Sequence, residues 1–316
     1  QIRAWFYVLH VIANALSLRE EGRNYLSKNV LVTGVILGTD GRKMSKNYNN
    51  YPDPKELLQK YGGDALRLYL LGSPVMKGED IIISEEQYRN QSKALISLWN
   101  VYNFLISQSI ASGWSPSKNA PKSTNVLDRW ILSRLNGNIL NVTGAMDRFD
   151  TVDCVGNVNA GQTVGAGENN TVLGGNFGIL IVHDLANWYV RRIRDRVRPS
   201  SEDMNDKKSA LQTLWEVLRT YSKVMAPIIP FTTEEIYKNL SGEESVDLTE
   251  WAAADKALID GAVEIEMDSA MQLASKILAF RKDSNVRVRM PLRRLSYKGP
   301  NELSPEVAKV VLEEVN

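Results

Sequence analysis

The 316-residue chain has one cysteine, two histidines and almost no net charge, +1 at pH 7 from 38 basic and 37 acidic side chains. A single thiol, Cys154, excludes a disulfide framework and any multi-thiolate zinc centre, and two histidines leave no metal cluster to expect. Near-neutrality excludes a globally basic nucleic-acid binder, so any RNA contact must come from local patches. No apolar run is long enough to cross a bilayer and no signal peptide is visible, so the expected setting is the cytoplasm, without a membrane partner. The length suits two or three domains with sizeable cores. Gln1 is not an initiator methionine, and Val310, Val311, Leu312 and Val315 continue a helical pattern without a stop signal. The chain is therefore expected to be an internal piece of something longer.

Apolar periodicity supplies the framework. Ile2, Trp5, Phe6, Leu9, Ile12, Ala13 and Leu16 recur at spacings of three and four, which predicts a helix buried along one side. Residues 29–37 form a continuous β-branched run, as expected for an inner strand of a parallel sheet covered on both faces. Pro52 and Pro54 precede a helix over 54–71. From about residue 85 the pattern is almost wholly helical, with helices near 85–110, 128–148, 178–198, 206–225 and 231–240, the second capped by Asp128. Val286-Arg287-Val288-Arg289-Met290 alternates as a strand would. Residues 156–178 hold seven glycines and five asparagines; glycine costs a helix ~1 kcal/mol relative to alanine, so this stretch reads as a surface insertion.

One segment points to chemistry. Residues 38–54 read Gly-Thr-Asp-Gly-Arg-Lys-Met-Ser-Lys-Asn-Tyr-Asn-Asn-Tyr-Pro-Asp-Pro. A glycine-led loop at the carboxyl end of a strand is where open α/β sheets bind nucleotides. Lys43 and Lys46, three apart around Met44 and Ser45, can bring two cations and a hydroxyl to a polyphosphate whose charge rises during reaction. Gly38 and Gly41 are read as giving this loop freedom to move. Against this stands the plain alternative that two lysines beside a turn are a solvated surface.

The string resembles the KMSKS signature of class I aminoacyl-tRNA synthetases, and its Tyr-Pro-Asp-Pro tail is most similar to the isoleucyl members of that family. Gln1-Ile2-Arg3-Ala4-Trp5-Phe6-Tyr7, Lys60 to Leu70, Ser73-Pro74-Val75, Gly78-Glu79-Asp80, Asp128 to Leu135 and Asn187 to Arg192 are also similar. The likeness covers nearly the whole chain outside the glycine-rich stretch. Two departures are visible: Asn47 stands where serine closes the signature, and Ala4 replaces a common glycine. The family's His-Ile-Gly-His string and its editing domain are absent, so this piece alone is not expected to catalyse.

The resemblance implies a mainly α chain with an α/β part. Residues 1–84 would be the C-terminal end of a Rossmann-like catalytic domain, 85–260 an α-helical anticodon-binding bundle, and 261–316 the start of a small α/β unit. It implies ATP, with Mg2+, at Lys43, Met44, Ser45 and Lys46, with Lys43, Ser45 and Lys46 catalytic. It places Gln1 near the adenylate and Trp5 against the isoleucine side chain, the alternative for Trp5 being ordinary helix core. Asp64 and Arg67 are read as structural. The implied partners are tRNA(Ile), isoleucine and ATP, with the protein a monomer and no metal site in this piece. Arg191, Arg192, Arg194, Arg196 and Arg198 crowd one helix. The first two, with Arg194 and Arg198, are candidates for tRNA phosphate contact, against a bland reading in which the row pairs with Asp184 and Asp195. Arg287, Arg289, Arg293 and Arg294 are a second, equally undecided basic group. The rival readings are a valyl, leucyl or methionyl member, a non-catalytic helical RNA-binding module, and a purely structural helical scaffold.

Overall fold

A computed structural model describes residues 5–16, 29–117, 123–155, 178–294, 296–297 and 302–316. The chain divides into two compact units, Gln1–Tyr51 with Ser73–Ile83 and Pro52–Gly72 with Ser84–Asn316. Gln1 and nearly all of the glycine-rich stretch lie outside the described residues.

In the first unit, α1 (Tyr7–Ala15) buries Ala13 alone, while Trp5, Leu9, Ile12 and Leu16 are 41–69% exposed. The expected one-sided burial is not realised: periodicity defines an apolar face, but burial needs a second surface. The long β-branched run is likewise mostly unpaired. Only β1 (Ile36–Leu37) is strand, parallel to β2 (Ile81–Ile82) with Ile36 opposite Ile81, and Val30, Leu31, Val32 and Val35 stay exposed. A strand forms only where a neighbour completes its hydrogen bonds, and among the described residues β1 has one such neighbour. The parallel pairing itself is as expected. Backbone bonds from Ile81 to Val35 O and Ile83 to Leu37 O, each 3.0 Å, extend the ladder by a residue each way.

The second unit is helical: α2 (Pro54–Tyr61), α3 (Gly63–Leu71), α4 (Glu85–Ser112), α5 (Val126–Asp147), α6 (Thr151–Val155), a π-helical segment (Ile179–Val190), α7 (Arg191–Val197), α8 (Met204–Met225), α9 (Pro230–Ser241), α10 (Gly261–Asp283) and α11 (Pro305–Val315). The expected single helix over 54–71 is two, broken at Gly62. Asp53 starts α2, its carboxylate accepting from Lys55 N at 2.8 Å, and Pro54 occupies the first helical position. Helix α5 is central, buried nearly all round and packed on α6, α8, α10 and the π-helical segment. Trp130, Ile131, Leu135 and Ile139 meet Leu98 and Leu105 of α4 and Leu211, Leu214 and Leu218 of α8 in one core. At ~1.5–3 kcal/mol for each large apolar side chain, this core supplies the main drive to fold. Cys154 of α6 is fully buried, and burial pushes its thiol up to about 11, with Asp150 and Asp153 adding to the rise.

Three charged contacts fix the helices. Asp64 of α3 accepts from Phe231 N and Thr232 N at 3.3 and 2.7 Å, serving as the cap that Ile229 cannot give α9. Arg67, a turn later, donates to Ile228 O and Pro227 O at 2.9 and 2.7 Å. Both residues are therefore structural, and they explain why Pro52–Gly72 belongs with the helices. Asp128 is not the cap of α5; Asn125 is, accepting from Leu127 N at 3.0 Å. Fully buried Asp128 instead takes a two-pronged bond from Arg196 at 2.8 Å on each oxygen, and further bonds from Tyr189 Oη and Ser123 Oγ. Burial pulls Arg196 down, but its bonds to Asp128 and Asp206 outweigh that and hold the guanidinium charged.

The expected strand at Val286–Met290 is a turn. Fully buried Arg281 of α10 donates to Arg287 O and Met290 O at 3.0–3.3 Å, and the chain curls around its guanidinium. The alternation of valine and arginine there has no partner strand among the described residues. The described residues after 260 form a helix, a turn and a helix. D128A is predicted to lower stability by ~3 kcal/mol in urea unfolding, because it removes one of the two carboxylates that meet the Arg196 guanidinium and leaves the buried Tyr189 hydroxyl without its acceptor on α5.

Candidate nucleotide-binding loop and a basic helix

The loop between β1 and Tyr51 is tightly hydrogen-bonded. Gly38 N donates to Arg42 O at 2.7 Å and Gly41 N to Gly38 O at 2.9 Å, closing a turn that needs Gly41 at φ 76°. Leu37 and Lys43 then face each other as an antiparallel bridge. Ser45 opens a second turn: Asn47 N donates to Ser45 Oγ at 3.2 Å, and Tyr48 N to Ser45 O at 3.1 Å. Asn49 sits at φ 46°, a left-handed position that asparagine tolerates, and Asn50 returns the chain to the interior at 5% exposure. Gly38 is packed against Asn50, where a Cβ would lie 2.4 Å from the Asn50 amide nitrogen. The two glycines thus serve a turn and a close approach.

Lys43 and Lys46 are exposed, and among the described residues neither ammonium group has an ion-pair partner. Ser45 Oγ accepts from Asn47 N and retains its own hydrogen to donate. Asp40 is the nearest anion in sequence. Its carboxyl is held below the usual range, first by the Asn50 side-chain amide and then by Arg42 N. The arrangement offers an anionic ligand two cations and a hydroxyl donor on a preformed backbone. Trp5 is 69% exposed, so it is not core and presents its indole to whatever lies beside it.

The five arginines near residue 195 divide by face. Trp188, Arg192 and Arg196 recur every fourth residue and turn inward. Arg192, 4% exposed, lies over the Trp188 ring with its guanidinium carbon 3.0 Å from the centroid and bonds Glu314 of α11 at 3.1 Å. Burial draws it down to about 10 against the pull of Glu314. Arg191 reaches the same carboxylate at 3.1 Å, and Arg198 pairs with exposed Asp195 at 3.3 Å. Arg194 is exposed and has no ion-pair partner among the described residues. Asp184, read from the sequence as part of this network, belongs elsewhere: it takes Arg134 at 2.8 Å and His183 at 2.9 Å. The cleft of about 760 Å³ beside the row is lined by Arg191, Arg192, Arg196 and Lys309, but also by Asp195, Glu313 and Glu314, so it is not an anion pocket. Glu314 was missed because nothing local joins it to residue 192; the four-residue spacing of 188, 192 and 196 was the available signal.

Comparison with known proteins then identifies the family. Residues 1–82 match the tRNA synthetases class I (I, L, M and V), and residues 176–296 match the anticodon-binding domain of tRNA ligase. The chain belongs to the class I tRNA synthetases, in the branch of the isoleucine–tRNA ligases. It is 34% identical to the isoleucine–tRNA ligase of Leifsonia xyli over 100% of this chain and 26% of that protein. The Chlamydia muridarum enzyme is 36% identical over 98% and 28%, and that of Treponema denticola 33% over 99% and 27%. The chain therefore spans about a quarter of the length of these relatives. A solved LeuRS from Agrobacterium radiobacter, in a ternary complex with tRNA and LeuAMS, aligns with 72% of this chain and 24% of that one at TM-score 0.49 and 19% identity.

The two faces of α7 give opposite expectations. R192A should lower the melting temperature by several degrees, ~2 kcal/mol, because it uncovers Trp188 and leaves Glu314 half-paired. R194A should leave it within about a degree.

Proposed function

We propose that this chain supplies the nucleotide-closing loop and the tRNA-binding helices of an isoleucine–tRNA ligase. The observation that carries this is the pair of exposed lysines flanking Ser45, without ion-pair partners among the described residues, on a hydrogen-bonded loop in a chain similar along its length to isoleucine–tRNA ligases. In the whole protein, an isoleucine carboxylate oxygen attacks the α-phosphorus of ATP and pyrophosphate departs. A ribose hydroxyl at the tRNA terminus then attacks the acyl carbon and AMP departs.

Lys43 and Lys46 stabilise the charge gathering on the departing diphosphate, and Ser45 donates a hydrogen bond to it; alignment and cations are what this step needs. Mg2+ would arrive with ATP as part of the substrate, and no group of three or more His, Cys, Asp or Glu among the described residues is arranged to hold a metal. Trp5, exposed beside the start of α1, is suited to line an apolar amino-acid pocket with Gln1 near the adenylate. The helical unit binds tRNA(Ile), with Arg191, Arg194 and Arg198 on the solvent face able to meet phosphate; Arg192 contributes by holding that face in place. The protein works as a cytoplasmic monomer. Among the described residues no helix is long and apolar enough to cross a membrane.

The test uses the full-length protein. Isoleucine-dependent exchange of pyrophosphate into ATP should fall ~10²-fold or more in K43A and in K46A, with the isoleucine KM little changed. Undiminished exchange in the double variant would overturn the assignment of the loop. Faster exchange with valine than with isoleucine would overturn the assigned substrate.

A further inference from the structure

Asn50 lies outside the Lys-Met-Ser-Lys string, yet its side chain is the point at which the loop is tied together. Its Oδ1 accepts from Ser45 N at 3.0 Å, and its Nδ2 donates to Asp40 Oδ1 at 2.8 Å and to Lys43 O at 3.3 Å. Its backbone carbonyl accepts from Thr39 N at 2.7 Å and Thr39 Oγ1 at 3.3 Å. The orientation of the amide is unambiguous, because Ser45 N can only donate and the Lys43 carbonyl can only accept.

The chemistry demands this residue type. A carboxylate could accept from Ser45 but not donate, and would face Asp40 with like charge. An aliphatic side chain could do neither, leaving the part-buried Ser45 N and Lys43 O without these partners, at a cost of up to ~1–3 kcal/mol each. The room for the amide exists only because residue 38 is glycine: a Cβ there would sit 2.4 Å from both Nδ2 and the Asn50 carbonyl oxygen. The two bonds at Lys43 O and Ser45 N bracket Met44 and fix the backbone on both sides of it. Ser45 in turn starts the turn that carries Lys46.

We propose that Asn50 is the positioning residue of the loop: it presets the two lysine-bearing stretches so that their cations need no reorganisation when the diphosphate forms. This rests on the function proposed above. Preorganised charge is worth most where charge develops in the reaction rather than in the bound ground state, so the effect belongs to kcat more than to KM.

In the full-length protein, N50A should lower kcat of isoleucine-dependent pyrophosphate exchange ~10–100-fold with the isoleucine KM within about twofold. N50D should be at least as impaired. D40N, which keeps an acceptor oxygen facing Asn50, should exchange at near wild-type rate. The double variant D40N/N50D restores a donor opposite the new carboxylate and should recover at least ~5-fold over N50D. N50A exchanging within twofold of wild type, or a double variant no better than N50D, would overturn the proposal. Amide hydrogen exchange in the 316-residue chain supplies a readout independent of activity: the Ser45 and Thr39 amides should exchange at least ~10-fold faster in N50A than in wild type. If the wild-type enzyme shows no isoleucine-dependent exchange but these amides lose protection in N50A, the functional reading fails while the role of Asn50 in ordering the loop stands. Unchanged amide protection would remove that role.

Discussion

A guanidinium taken out of water must be met by anions or carbonyls, and the helical unit is arranged around that requirement. Arg196 joins α7 to α5 and α8 through Asp128 and Asp206. Arg134 joins α5 to the π-helical segment and α10 through Asp184 and Glu264. Arg192 joins α7 to α11 through Glu314, and Arg281 folds the turn after α10 with carbonyls alone. Apolar burial supplies the drive to collapse, but it is indifferent to register. These directional contacts decide which helix lies against which, since breaking one leaves an uncompensated buried charge.

The loop follows the opposite plan. Its two lysines are exposed and have no ion-pair partner among the described residues, and the ordering is done by a neutral amide, backbone groups and one carboxylate. A lysine locked in an ion pair would have to be released before it could meet a phosphate. Holding the backbone and freeing the side chains keeps both properties available for the role proposed above.

Much of this was legible in the sequence, for reasons of locality. Helices α4, α5, α8 and α9 are long and periodic, and their ends fall within a few residues of expectation. The Lys-Met-Ser-Lys string itself was visible because its residues are adjacent. What was not legible depends on partners distant along the chain. The β-branched run at 29–37 looked like a buried strand but is strand only at Ile36–Leu37, and Val286–Met290 alternates like a strand but curls around Arg281. Asp128 looked like a helix cap from its position; the Arg196 fork that claims it comes from 68 residues away. The role of Asn50 was hidden because asparagine in a polar loop is usually solvated, and only the fit against Gly38 reveals otherwise.

The seclusion of Cys154 has a practical side. A thiol so reluctant to ionise, and sealed within the helical core, is a poor nucleophile in the native state. As the sole sulfhydryl of the chain, it makes alkylation a built-in clock for opening of the bundle: a labelled molecule records an excursion in which α6 left its neighbours. No engineered probe would be required to follow how often that happens.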